Sequence, residues 1–140
     1  MSGEPRDAET RATGGCLCGA VRYAIRGPLR DVVLCHCHRC RRTHGHVAAY
    51  AACRATDLVL VADGELRWYE DDGGRARGFC GRCGASLLWR APERDTISVA
   101  AGTLDEPTGL RTVAQIFTRD RGDYYVLADD VEQHLGPLPR

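Results

Sequence analysis

The chain has 140 residues, with nineteen basic and nineteen acidic side chains and therefore no net charge at neutral pH. Its length fits one domain with room for a real core, and 44% hydrophobic with 27% charged residues excludes global disorder. Zero net charge argues against a nucleic-acid partner or broad membrane-surface binding, and no apolar run reaches the roughly 18–20 residues that span a bilayer.

In chain order, residues 1–13 are polar and carry no hydrophobic period, so they are expected as a flexible N-terminal tail. The mixed-charge start Met1 to Asp7 does not read as a secretory signal, which makes the cytoplasm the expected compartment. Residues 14–130 form the expected single domain, and 131–140 a second tail. Val21, Tyr23 and Ile25 alternate with Arg22, Ala24 and Arg26, the period of a half-buried strand closed by Gly27-Pro28. Further strands are predicted at Val32 to Leu34, Val47 to Ala51, Leu58 to Val61, Leu66 to Tyr69, Leu87 to Trp89, Ile97 to Ala100, Val113 to Phe117 and Tyr124 to Leu127. Turn residues separate them at Asp63-Gly64, Asp72-Gly73-Gly74, Gly84, Gly102 and Pro107. The pattern predicts a mainly β domain of short strands, sandwich-like or barrel-like, with little helix beyond a turn near Arg39 to His44.

The eight cysteines carry the chemistry. A domain of this size needs no disulfide staples, and cytosolic cysteine clusters more often bind metal or act in redox chemistry. Three groups stand out: Cys16-Leu17-Cys18, Cys35-His36-Cys37-His38-Arg39-Cys40, and Cys80-Gly81-Arg82-Cys83-Gly84; Cys53 stands alone. Paired thiolates on a turn bring two sulfurs to one tetrahedral ion at about 2.3 Å each. Each pair needs ligands from elsewhere, so seven clustered cysteines divide naturally as four plus three. Cys16, Cys18, Cys80 and Cys83 would close one zinc site. Cys35, Cys37 and Cys40 would form an open tripod, since a catalytic zinc keeps three protein ligands and one free position. Two alternatives stay open on spacing alone. Cys53 could complete the tripod as a second closed site, or one of His36, His38, His44 and His46 could be its fourth ligand. Arg39, Arg41 and Arg42 crowd the tripod and are candidates to offset thiolate charge or hold a carboxylate. The histidines otherwise read as polar surface groups, Cys53 as a small buried hydrophobe, and Trp68, Tyr69 and Trp89 as core or sheet-face residues. Asp71 to Gly74 reads as a turn, since it lacks the ligand series of a calcium loop.

The segments Gly15 to Tyr23, Cys35 to Gly45, Arg77 to Leu87 and Ala101 to Asp105, in this order and spacing, resemble the glutathione-dependent formaldehyde-activating enzyme family; the centromere protein V group is similar. The resemblance runs from about Gly14 to Asp130. It implies a β-tent fold of mostly antiparallel strands, and two zinc ions per chain. Of these, a structural zinc would sit on Cys16, Cys18, Cys80 and Cys83, and a second, catalytic zinc on Cys35, Cys37 and Cys40. It implies an activity joining formaldehyde to glutathione as S-(hydroxymethyl)glutathione, classed as a carbon–sulfur lyase, with a small thiol and an aldehyde as partners. Glu70-Asp71-Asp72, Gln115-Ile116-Phe117 and Asp123-Tyr124-Tyr125 depart from the family's pattern, away from the cysteine motifs, and bear on which substrate is taken. Three thiolates weaken zinc as a Lewis acid, so delivery of an ionised thiol is favoured over carbonyl activation. The other readings are a non-enzymatic zinc module for a protein, nucleic acid or small thiol, and an electron carrier. The last would need two C-x-x-C pairs at one iron, and the first group is C-x-C.

Overall fold

The computed structural model describes residues 10–139. Eleven short strands and one two-turn helix make up the regular structure of these residues: β1 (Ala12–Gly15), β2 (Arg22–Ile25), β3 (Arg30–Cys35), α1 (His38–His44), β4 (Ala48–Arg54), β5 (Leu58–Ala62), β6 (Leu66–Glu70), β7 (Ala76–Cys80), β8 (Ser86–Arg90), β9 (Thr96–Ala100), β10 (Thr112–Ile116) and β11 (Glu132–Gln133), with three 3₁₀ turns. The fold is mainly β, as expected, but it is not a closed barrel. A three-stranded sheet in the order β1-β2-β5 lies beside an open eight-stranded sheet in the order β11-β10-β3-β4-β9-β8-β7-β6. Pairing is antiparallel except where β10 runs parallel to β3 and β11. No helix among the described residues is long and apolar enough to cross a membrane.

Side-chain alternation on the large sheet gives it two different faces. On β4, Ala51 and Cys53 enter the main core, while Ala48 and Tyr50 join a second cluster with Cys35 and Cys40. On β9, Ile97 and Val99 face the main core, and Thr96 and Ser98 line a cleft. The main core is closed by β2 and the residue before it, which bury Val21, Tyr23 and Ile25 almost completely. Full burial of such a side chain stabilises by roughly 1.5–3 kcal/mol. The alternation read from the sequence at β2 is therefore the contact between the two sheets, and it leaves the opposite face of the large sheet free to carry the cleft.

Three expectations need correction. The boundary placed at Gly14 falls inside β1, because Ala12 and Thr13 pair with Ile25 and Ala24; residues 1–9 of the expected tail lie outside the described residues. Tyr124 to Leu127 is not a strand. Its aromatic residues pair with histidines instead of a neighbouring backbone, Tyr125 with His36 and Tyr124 with His46, and Val126 is 94% exposed. Residues 131–139 do not form a tail: β11 pairs with Ala114 and Gln115, and backbone hydrogen bonds continue to Gly136. Arg140 lies outside the described residues. β7 carries no apolar run, since Ala76-Arg77-Gly78-Phe79-Cys80 has small and charged residues, yet it pairs on both sides, with β6 and β8.

Candidate metal centres and cleft

Cys16 and Cys18 lie on the turn between β1 and β2, and Cys80 and Cys83 on the turn between β7 and β8. Their four sulfurs lie within 4.8 Å of one another. Cys16 Sγ is 3.7 Å from Cys18 Sγ, and Cys18 Sγ is 3.8 Å from Cys80 Sγ. A tetrahedron of zinc–sulfur bonds of about 2.3 Å has edges of about 3.8 Å, so the donor set fits this ion. Backbone amides turn toward the sulfurs: Val21 N–H donates to Cys16 Sγ at 3.2 Å, and Arg82 and Cys83 N–H to Cys80 Sγ at 3.3 and 3.4 Å. Amide hydrogen bonds favour the thiolate, and those from Ala85 and Cys18 lower Cys83 to about 6. The knuckle closes because Gly84 takes φ +79°, a left-handed conformation that lets its N–H reach Cys80 O at 2.8 Å.

The second group comes from one short segment. Cys35 ends β3, Cys37 caps α1, and Cys40 lies in its first turn. Cys37 Sγ accepts the Cys40 N–H at 3.3 Å, so the helix cap and the sulfur cluster are the same interaction. The three sulfurs also lie within 4.8 Å of one another, and no fourth His, Cys, Asp or Glu joins them among the described residues. Cys53 is buried in the main core, on the opposite side of β4 from Tyr50. Thiol hydrogen bonds from Cys35 and then Cys40 hold Cys37 far below the usual thiol range. The same bonds, together with burial, push Cys35 far up. Cys40 rises as well, because Cys37 and burial outweigh the lowering contact with Cys35. Three sulfurs this close disfavour one another's ionisation, and a cation among them would relieve that.

These sulfurs stand on the wall of a cleft of about 1310 Å³. Ordinary small-molecule pockets run roughly 300–1,000 Å³, so the space exceeds what formaldehyde alone needs. Arg39 lines it, but Arg41 points its Nη2 to Asp120 O at 3.3 Å, and Arg42 is exposed and does not line the cleft. The guanidinium beside the sulfurs belongs to Arg77 on β7, a residue the composition of the tripod loop did not single out. Its Nη2 and Nη1 lie 3.9 and 4.0 Å from Cys40 Sγ, and Nη1 donates to Tyr50 Oη at 3.3 Å. Tyr50 Oη also shares a 2.9 Å hydrogen bond with His44 Nε2. Burial raises Tyr50 well above the usual phenol range, so its hydroxyl keeps its proton. Burial lowers His44, and Arg77 lowers it further, so its ring stays neutral. The sequence signal for Arg77 was its strand position three residues before Cys80, on the sheet face that carries the cleft.

The histidines separate. His36 is not a surface residue: it is 3% exposed, held between Gln115 Oε1 at 3.0 Å and Tyr125 Oη at 2.8 Å, and stacked on the Tyr125 ring. Its backbone alternates with Cys35 and Cys37, which turns its ring to the other side. His38 is exposed at the cleft edge, His46 bonds Tyr124 Oη at 2.6 Å, and His134 pairs with Glu132. Trp89 stands closer to the site than expected: it packs on the Cys35–Cys40 cluster and lines the cleft. Trp68 lies under the Arg90 guanidinium at 3.9 Å, and Tyr69 is exposed. Asp71 Oδ1 accepts from the Gly73 and Arg75 N–H groups, as a turn residue does.

Comparison with known proteins agrees with the cysteine pattern. The family model described as glutathione-dependent formaldehyde-activating enzyme matches residues 11–120. A crystal structure of a Rhodobacter sphaeroides protein superposes with a TM-score of 0.58 at 26% sequence identity, covering 71% of this chain and 97% of that one. A match over most of the chain, with both sulfur clusters inside it, shows that the chain belongs to the glutathione-dependent formaldehyde-activating enzyme family.

Proposed function

We propose that this chain is a zinc-dependent enzyme of the carbon–sulfur lyase type, which joins formaldehyde to a small thiol and reverses that reaction. Cys16, Cys18, Cys80 and Cys83 would hold a structural zinc, and Cys35, Cys37 and Cys40 a second one with a position open to substrate. The observation that carries the reading is the placement of a three-sulfur group on the wall of a large cleft, in a chain of this family. Zinc there would supply positive charge to keep a substrate thiol ionised or to polarise an aldehyde oxygen.

The chain's own residues do the rest. Arg77 offsets the negative charge of the tripod at Cys40 Sγ, and Tyr50 holds its guanidinium there. Arg39, Arg75 and Arg94 line the cleft beside Asp71, Glu93, Asp95 and Asp120 and would supply forks for the carboxylates of an acidic thiol such as glutathione, whereas Arg30 donates to Asp31 O and Tyr50 O. In the forward direction a sulfur–carbon bond forms between the thiolate and the carbonyl carbon. The carbonyl π pair moves to oxygen, and that oxygen takes the proton the thiol released. Tyr50, whose Oη shares a hydrogen bond with His44 Nε2, lines the cleft beside the sulfurs and would carry a proton there. The test is magnetisation-exchange NMR on formaldehyde and glutathione. Zinc-loaded protein should speed adduct exchange well above the uncatalysed rate, and Cys37→Ser should return it to background. No acceleration by the zinc-loaded protein would leave a zinc module without this activity.

A further inference from the structure

The family match ends at residue 120, but the wall of the cleft continues past it. After β10 the chain turns through Phe117 and comes back along the same strand. β11 pairs with Ala114 and Gln115, His134 N–H donates to Gln115 O at 2.8 Å, and Thr118 N–H to His134 O at 3.1 Å. Phe117 N–H then donates to Gly136 O at 2.9 Å, and Arg119 Nε to Leu135 O at 3.0 Å. Behind this strap, Gln115 Nε2 donates to Ala128 O at 2.9 Å. The stretch from Glu132 to Gly136 is thus fastened to β10 and the turn after it by main-chain bonds, with side-chain donors from Gln115 and Arg119 beside them.

The fastening has a consequence at the tripod. Phe117 sits at φ +55°, in the left-handed region that a bulky residue rarely occupies. Its backbone is held there by the bond to Gly136 and by Asp120 N–H donating to Phe117 O at 3.0 Å. An unusual backbone held by its surroundings at a site points to a positioning task. Phe117 and Ile116 pack against the buried cluster that contains Cys35 and Cys40, and both line the cleft. Pro137, Leu138 and Pro139 line the same cleft just beyond. Apolar side chains from Ile116 and Phe117 and, past the family match, from Pro137, Leu138 and Pro139 therefore share the cleft that holds the sulfurs.

We propose that the strap is a specificity element, and that the site takes a thiol carrying a bulky apolar group of about aryl size, which lies on Phe117 and Leu138. The inference rests on the tripod being a thiol site. Its test is titration of the cobalt-substituted full chain with N-acetylcysteine and N-benzoylcysteine, two acidic thiols that differ in the apolar group, read in the sulfur-to-cobalt charge-transfer band. Burying the extra ring against an apolar wall is expected to favour the benzoyl thiol by about tenfold. Leu138→Ser, and a chain ending at Gly136, should each bring that ratio to within about twofold of one while N-acetylcysteine still perturbs the cobalt spectrum. If the shortened chain fails to fold by circular dichroism, Leu138→Ser decides. A wild-type ratio near one, a ratio that survives Leu138→Ser, or no response to either thiol would overturn the proposal. Formaldehyde exchange measured on the same preparations separates the two readings. Exchange without the ratio removes the strap's role alone, and the ratio without exchange removes the enzyme reading alone.

Discussion

Around Cys16, Cys18, Cys80 and Cys83, the sulfurs draw hydrogen bonds from backbone N–H groups of Val21, Arg82 and Cys83, and the four come from turns 62 residues apart along the chain at Cys18 and Cys80. Around Cys35, Cys37 and Cys40, the ligands come from one six-residue segment, a side-chain cation stands beside Cys40, and a cleft opens on one side. Both groups offer the same donor atom. What differs is what each one joins. The four-sulfur group brings the small sheet's β1–β2 turn to the large sheet's β7–β8 turn, so an ion held there would stand in for tertiary contacts. The three-sulfur group is already placed by β3 and by the cap of α1, so an ion held there would add reactivity and little to the fold.

The largest expected effect comes from breaking the joint. Cys80→Ser should abolish cooperative folding, because zinc sites of this type supply on the order of 10 kcal/mol of folding free energy; circular dichroism and a thermal melt read the loss. Cys37→Ser should sharpen the contrast from the other side. It should keep the β spectrum and a cooperative melt, bind one zinc fewer, and lose adduct exchange. A global collapse in Cys37→Ser would erase the distinction between the two groups.

Next in size is Arg77→Gln, which removes the cation beside Cys40 without touching a sulfur. Second-site zinc affinity or exchange rate should fall about 10- to 100-fold, with the melt little changed and partial recovery in Arg77→Lys. Smallest is the surface link between the small sheet and the loop after β9. There Arg22 Nη2 and Thr13 Oγ1 each donate to Asp105 Oδ2 at 2.6 Å. The hydrogen bond from Arg22, then that from Thr13, lowers the Asp105 carboxyl. The pair is 40% and 46% exposed, so its contribution is discounted to below about 1 kcal/mol. A carboxyl lowered in the folded state stabilises above its unfolded titration range and loses that contribution as pH falls through its folded value. The stability gap between wild type and Asp105→Asn in urea should therefore be present at neutral pH and close at acid pH.

The sulfur chemistry was legible in the sequence because it is local. C-x-C and C-x-x-C spacings place sulfurs on turns whatever the rest of the chain does, and alternation at Val21 to Ile25 identified the buried strand. What the sequence hid depends on pairing. β1 and β7 carry no apolar period because Gly14, Gly15, Ala76 and Gly78 pass close against neighbours: a Cβ on Gly14 would meet Tyr23, and one on Gly78 would meet Trp68. β11 has two exposed residues and no apolar side chain, and it is held by hydrogen bonds rather than by burial. Tyr124 to Leu127 reads as a strand by its aromatic and branched residues, yet its rings are used on His36 and His46. Arg77 and Phe117 reach the tripod from strands at opposite sides of β3, β4, β9 and β8 in the sheet, a proximity that only the strand order creates.

The two groups are compared most directly by zinc K-edge absorption on the wild-type protein, with metal content measured on the same sample. The expected result is two zinc ions per chain with a mean shell of about 3.5 sulfurs and a remaining oxygen or nitrogen, the average of one closed and one open site. Two ions with four sulfurs each would show a second closed site and contradict the account.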